Sequence, residues 1–318
     1  MIKMAHDKLF YKYRSLKERK GQDERKDQDH TIINLANNQL YFDYPINFND
    51  PFDSRVYCSF EGTREELNEK AGINIAELSK GIYEEQNGII KINYGKLFIK
   101  DGEKNLHGDV PYVIYPKICC FSEVCDDILM WSHYADCHKG ICLCFKSVKM
   151  NNEHWLPIGT PNNQFAHILF QRVVYNENVP EPINLLDEYM KIKMHEVLLD
   201  KLSKWEYEKE FRIILDQDSD KRLLSEDMFE KGIIKYQKEN LQGIIFGMKI
   251  KYENAELVYN TVKENYLDKG YAVKFYEAKE VRYKYEVKVD EIKDIDKYLL
   301  ELKHSNELHS PTLRDYIY

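Results

Sequence analysis

The run Trp205-Glu206-Tyr207-Glu208-Lys209-Glu210-Phe211-Arg212-Ile213-Ile214-Leu215 carries three carboxylates at alternate positions and then an arginine. In an extended strand successive side chains alternate, so Glu206, Glu208, Glu210 and Arg212 share one face. Tyr207, Phe211 and Ile213 then pack on the other. Carboxylates held on a strand beside an arginine suit a site that grips a sugar or a cation. A solvated edge strand with an ion pair explains the same residues without chemistry. A second group is Cys119-Cys120-Phe121-Ser122-Glu123, followed by Met130-Trp131-Ser132-His133-Tyr134 and Lys139-Gly140. A strand ending at Ser122 places a hydroxyl at a sheet edge. A helix after it displays Trp131 and Tyr134, three positions apart, on neighbouring parts of one face. Hydroxyl and aromatics suit a ribose and a planar base; an aromatic core with a capping serine is the equal alternative.

Other chemistries find less. Cys120, Cys125, His133, Cys137 and His138 match no usual zinc spacing. Nothing marks one thiol as an activated nucleophile. Asn49-Asp50-Pro51-Phe52-Asp53 together with Glu208 and Glu210 offers oxygen ligands for a magnesium-dependent nuclease, but the lysine common beside such an acidic strand is poorly matched. No Gly-rich phosphate loop or dinucleotide fingerprint occurs, which removes P-loop NTPase, kinase and Rossmann dehydrogenase readings.

The elements that must position these residues follow from pattern. Leu9–Arg14 reads as a first strand, and Lys17–His30 as a solvated loop of mixed charge. Asp29 caps a short helix from Thr31 to about Asn37, and Gln39–Phe42 is a short strand. Residues 62–109 read as a mostly helical insertion, with helix over Arg64–Glu69 and Ile75–Gln86 and a weaker, hairpin-compatible stretch over Gly88–Ile99. Strands are expected in Tyr112–Phe121, Gly140–Phe145, Gln171–Tyr175, Ile233–Tyr236, Leu241–Phe246 and Tyr271–Tyr276, and helices in Asp126–Tyr134 and Asn254–Leu267. Pro182–Leu202 is the best helical stripe, through Leu186, Met190, Met194, Val197 and Leu198. The expectation is one α+β domain over 1–289 and a charged tail over 290–318 with a helix near Ile292–Lys303.

With 318 residues, 43% hydrophobic and 31% charged, the chain can bury a substantial core. A net charge of −8 argues against an extended non-specific nucleic-acid surface, though not against a local groove. Seven cysteines, an odd number, fit free thiols in a reducing compartment better than a disulfide framework. The start, Met1-Ile2-Lys3-Met4-Ala5-His6-Asp7, lacks the apolar core of a signal peptide, and no apolar run reaches membrane-spanning length. A cytoplasmic protein with no membrane partner is expected.

In order along the chain, Tyr11–Arg14, Leu40–Phe42, Phe48–Asp53, Cys120–Glu123, Met130–Ala135, Lys139-Gly140 and Trp205–Arg212 resemble a large bacterial domain-of-unknown-function family, from about residue 9 to residue 278. More distantly, the order of motifs resembles the ADP-ribosyltransferase superfamily, although the first motif lacks histidine and the middle one is Phe-Ser-Glu. That resemblance implies small split mixed or antiparallel sheets flanked by helices, around a cleft that holds NAD as substrate. It implies Glu210 on the ribose and Glu208 on the acceptor as catalytic groups, with exchange of the two roles left open. NAD contacts are implied for Lys12, Tyr13, Arg14, Asn49, Asp50, Ser122, Trp131 and Tyr134, with Arg14 on the pyrophosphate. The resemblance further implies a macromolecular acceptor, protein or nucleic acid, an antitoxin or other regulatory partner, and a toxin or anti-phage role. A non-catalytic nucleotide- or protein-binding module and the metal nuclease are the alternatives.

Overall fold

The computed structural model describes residues 8–16, 29–78, 81–93, 116–159, 165–215 and 225–308. Along the chain these form β1 (Leu9–Arg14), α1 (His30–Ala36), β2 (Gln39–Tyr41), β3 (Cys58–Gly62), α2 (Arg64–Ala71), β4 (Tyr83–Gln86), β5 (Ile89–Asn93), β6 (Lys117–Ser122) and α3 (Ile128–Tyr134). Next come β7 (Ile141–Lys146), β8 (Val148–Met150), β9 (Glu153–Gly159), β10 (Phe165–Arg172), β11 (Val174–Asn176), β12 (Ile183–Asn184), α4 (Met190–Val197) and β13 (Asp200–Leu202). The rest is β14 (Glu210–Leu215), α5 (Glu226–Lys231), β15 (Ile233–Lys235), β16 (Leu241–Phe246), α6 (Tyr252–Asn265), β17 (Lys274–Glu280), β18 (Val287–Glu291) and α7 (Ile295–Leu308). The class is α+β, with mixed and antiparallel sheets flanked by helices. Chain contacts divide it into two units: residues 1–43, 118–171 and 207–318, and residues 44–117 and 172–206.

The first unit is built on one sheet in the order β18-β17-β16-β7-β1-β6-β14-β10-β9-β8. β1 runs antiparallel to β7, from Leu9 opposite Lys146 to Arg14 opposite Ile141, and antiparallel to β6 with Tyr11 opposite Ser122. α6 makes the crossover between β16 and its parallel neighbour β17. Alternation splits the sheet into two buried faces. Phe10, Phe121, Leu143, Phe145, Phe211 and Ile213 join Leu35 of α1, Val258 of α6 and Leu299 of α7 in the main core. Tyr13, Cys142, Cys144 and Ile245 face the other way, under Met130 and Trp131 of α3.

Caps set the helix starts. Asp29 accepts from Thr31 N at 2.7 Å, and Asp127 accepts from Leu129 N at 2.8 Å and Met130 N at 3.0 Å, each satisfying donors that a first turn leaves open. α3 is followed by three residues with positive φ, Asp136, Cys137 and His138. Gly140 then passes so close to β1 that an added Cβ would lie 2.2 Å from Arg14 O, so no larger residue fits.

The second unit holds a sheet of order β12-β3-β5-β4 and the parallel pair β11-β13. α2 opens with a full capping box between Thr63 and Glu66 and closes on left-handed Gly72. Two expected helices are otherwise resolved here. Ile75–Gln86 is a 3-10 turn over Ile75–Glu77 and then strand β4, which turns back into β5 through Asn87 and Gly88, both at positive φ. Pro182–Leu202 is helical only over Met190–Val197, with a strand at each side. Its first part is tied to β3 instead: Asn184 donates to Glu61 O and accepts from Glu61 N and Leu186 N, bonds that a helix would forgo. The expectations for residues 17–28, 94–115 and the tail beyond 308 lie outside the described residues.

Candidate functional site

The carboxylates singled out in the sequence do not all lie on a strand. Ser203–Glu208 is a 3-10 segment, and β14 begins only at Glu210. Between them Lys209 takes a positive φ of 44°, which breaks the alternation that would have put Glu208 and Glu210 on one face. The end of β6 imposes this turn. Ser122 Oγ donates to Glu208 O at 2.6 Å, and Glu123 N donates to Lys209 O at 3.0 Å. Ser122 Oγ also accepts from Val124 N at 3.1 Å, so this hydroxyl, only 1% exposed, is engaged with backbone on both sides.

From this turn the two glutamates enter different surroundings. Glu208 is 3% exposed, and its Oε1 accepts from the Tyr134 hydroxyl at 2.5 Å. Tyr134 is itself half-buried at the end of α3. Glu210 is gripped by Arg212 two residues on: Nε reaches Oε1 at 2.9 Å and Nη2 reaches Oε2 at 3.1 Å, a two-pronged pair in which the arginine is fully buried. The Cys120 thiol also hydrogen-bonds Glu210. Burial, together with the glutamate charge, raises its pKa and holds it protonated. A second carboxylate two residues on from Glu208 is thereby balanced by a guanidinium.

The other expected contacts are distributed as follows. Trp131 has no exposed surface. Its Nε1 donates to Cys125 O at 2.8 Å, and its ring meets Tyr13 edge-on at 5.1 Å, so it serves as core under α3. Tyr13 donates to Val124 O at 3.1 Å, and burial raises its pKa. Strand alternation puts Tyr13 on the same face as Ser122 and Arg212, and Lys12 and Arg14 on the opposite one. Lys12 Nζ donates to Cys120 O at 2.9 Å and lies 5.0 Å from the Phe121 ring centroid. Asn49 and Asp50 belong to the second unit. Asn49 is exposed, whereas Asp50 is buried, with Oδ1 accepting from Phe52 N at 2.9 Å. Asp50 Oδ2 is buried without a hydrogen-bond partner among the described residues.

Of the residues expected from sequence, Ser122, Tyr134 and Glu208 meet, whereas Glu210 is set with Arg212 and with Cys120, a companion that the sequence reading missed. The alternation of Cys120 with Phe121 along an apolar strand was the available signal. Among the described residues no three His, Cys, Asp or Glu side chains converge as a metal site, and all seven cysteines are free thiols. No helix of the described residues is long and apolar enough to cross a membrane.

Residues 130–213, about a quarter of the chain, match the family described as "Protein of unknown function (DUF2971)". The matched stretch opens in α3 and closes in β14, so Tyr134 and Glu208, bonded to each other, both lie inside it. No curated protein matches the chain significantly, and no solved structure does.

Proposed function

We propose that the chain is an ADP-ribosyltransferase-like enzyme that cleaves the nicotinamide–ribose bond of NAD, with Glu208 and Tyr134 as its working pair. The supporting observation is the hydrogen bond between the Tyr134 hydroxyl and Glu208 Oε1, beside a second carboxylate already matched to Arg212. Loss of nicotinamide builds positive charge on the ribose. A carboxylate fixed in a dry site stabilises that charge far better than one in water. Glu208 is fixed at both ends, its carbonyl by Ser122 and its carboxylate by Tyr134. Opening of the Tyr134 bond would free one carboxylate oxygen for a ribose hydroxyl. The assignment moves the ribose role expected of Glu210 to Glu208 and leaves Glu210 to hold Arg212. The acceptor is a macromolecule, protein or nucleic acid.

The test uses the intact chain with NAD labelled on its adenylate part and with protein, RNA and DNA acceptors. Label transfer or nicotinamide release should fall by about 100-fold or more in Glu208→Gln, the scale of losing one electrostatic stabiliser. Absence of both signals in the folded parent protein, across all acceptors, would overturn the proposal.

A further inference from the structure

The second unit contains a cavity of about 230 Å³ with Phe52, Arg55, Val179, Pro180, Val197 and Leu202 in its wall. It is built around a turn. Ser54 takes a positive φ of 54°, and its hydroxyl donates to Asp53 Oδ1 at 2.8 Å. Asp53 Oδ2 lies 3.5 Å from Lys201 Nζ of β13, both side chains being buried. The Lys201 charge, also set 5.3 Å from the Trp205 ring, is therefore answered within the protein.

Arg55 is not answered in that way. Its guanidinium lies 5.6 Å from the Phe52 ring and 5.7 Å from the Tyr57 ring, and Nη1 donates to the Tyr57 hydroxyl at 3.1 Å. No carboxylate pairs with it among the described residues, and its Nε is buried without an acceptor. A buried N–H left unmatched costs about 1–3 kcal/mol, and a guanidinium edge is shaped to take two oxygens of one anion. The aromatic rings hold the planar group in place, so its orientation does not depend on a bound partner.

We propose that this cavity is a binding site for a small organic anion: one carboxylate or phosphate monoester head on the Arg55 edge, and a compact apolar body of about one ring against Val179, Val197 and Leu202. Three observations limit the ligand. The volume lies below the roughly 300 Å³ at which drug-sized sites begin, which excludes a dinucleotide. The walls are largely apolar, and Phe52, 57% exposed, offers a ring for the body to pack against. Glu177 and Asp200 also border the cavity and disfavour a polyanion, although Asp200 is itself held by Asn176. The inference does not depend on the transferase reading.

Calorimetric titration of the intact chain, without NAD, tests it with three probes: benzoate, phenyl phosphate and the neutral benzyl alcohol. At least one anion should bind saturably and at least 10-fold more tightly than benzyl alcohol, and the better anion identifies the head group. Arg55→Gln should weaken that anion by 10-fold or more, with Arg55→Lys between, because charge remains while the two-pronged edge is lost. Raising salt should weaken the anion on the parent protein and leave benzyl alcohol unchanged, an outcome that needs no variant to fold. Absence of saturable anion binding, equal affinity for the neutral probe, or full affinity in folded Arg55→Gln would each overturn the proposal.

Discussion

Replacing Arg212 by Met should destabilise the first unit severely, and repairing Glu210 at the same time should restore most of the loss. The pair is two-pronged at 2.9 and 3.1 Å, with the arginine fully buried and the glutamate 3% exposed. Removing one member of such a pair strands the other as a buried charge, at about 3–5 kcal/mol. For a chain of this size each kcal/mol moves Tm by about 2 °C, so Arg212→Met should melt about 6–10 °C below the parent. Replacing both members by apolar residues, Glu210→Leu with Arg212→Met, removes both charges together and should return Tm to within about 3 °C of the parent. Glu208→Gln should cost less than about 1.5 kcal/mol, since the amide oxygen still accepts from Tyr134. Scanning calorimetry with far-UV circular dichroism reads the parent, these three variants and Glu210→Leu alone. An Arg212→Met protein melting within 2 °C of the parent, or a double variant whose loss equals the sum of the single ones, would refute the assignment of Glu210 to structure.

Two further outcomes follow from buried groups. Burial first, and then Lys249, hold the His138 imidazole below its ordinary pKa of 6.5, so the unfolded chain takes up this proton before the folded one as pH falls. The stabilisation is complete above about pH 6.5 and is lost as pH drops through the folded value, with a slope of at most about 1.4 kcal/mol per pH unit. His138→Gln should flatten that decline in urea midpoints between pH 7.5 and 5.5, and an unchanged decline would count against it. Cys137 is exposed, whereas Cys142 and Cys144 are buried and burial pushes the Cys125 thiol up to about 11. Brief alkylation of the native protein should therefore mark Cys137 first by peptide mass mapping; earlier marking of Cys125 would contradict the packing.

Features governed by near neighbours were legible. The helix capped by Asp29, the strand ending at Ser122 and the strand through Phe145 each follow from a cap or an apolar run within a few residues. Glu208 was misplaced because its backbone is bent by Ser122, 86 residues earlier, and no local pattern announces that bond. Trp131 suited ligand stacking only while its own neighbours were unknown; Tyr13 and the Cys125 carbonyl complete its surroundings. The Asn87-Gly88 turn was a local signal, but the helix expected over Ile75–Gln86 ran up to it. Arg55 lies two residues beyond the Asn49–Asp53 stretch read for oxygen ligands, and its pairing with two aromatic rings shows only in space.

The central place of β1 has a consequence in time. The strand is made near residue 14, yet its flanking partners are β6 and β7, so both of its edges stay open until residue 122 is added and the β7 edge until residue 146. At about 5–20 residues per second the longer wait lasts roughly 7–26 s on the ribosome. Through that interval Leu9-Phe10-Tyr11-Lys12-Tyr13-Arg14 is an aromatic-rich segment with at least one open edge, and Lys12 and Arg14 are the only charges that discourage it from joining another nascent chain.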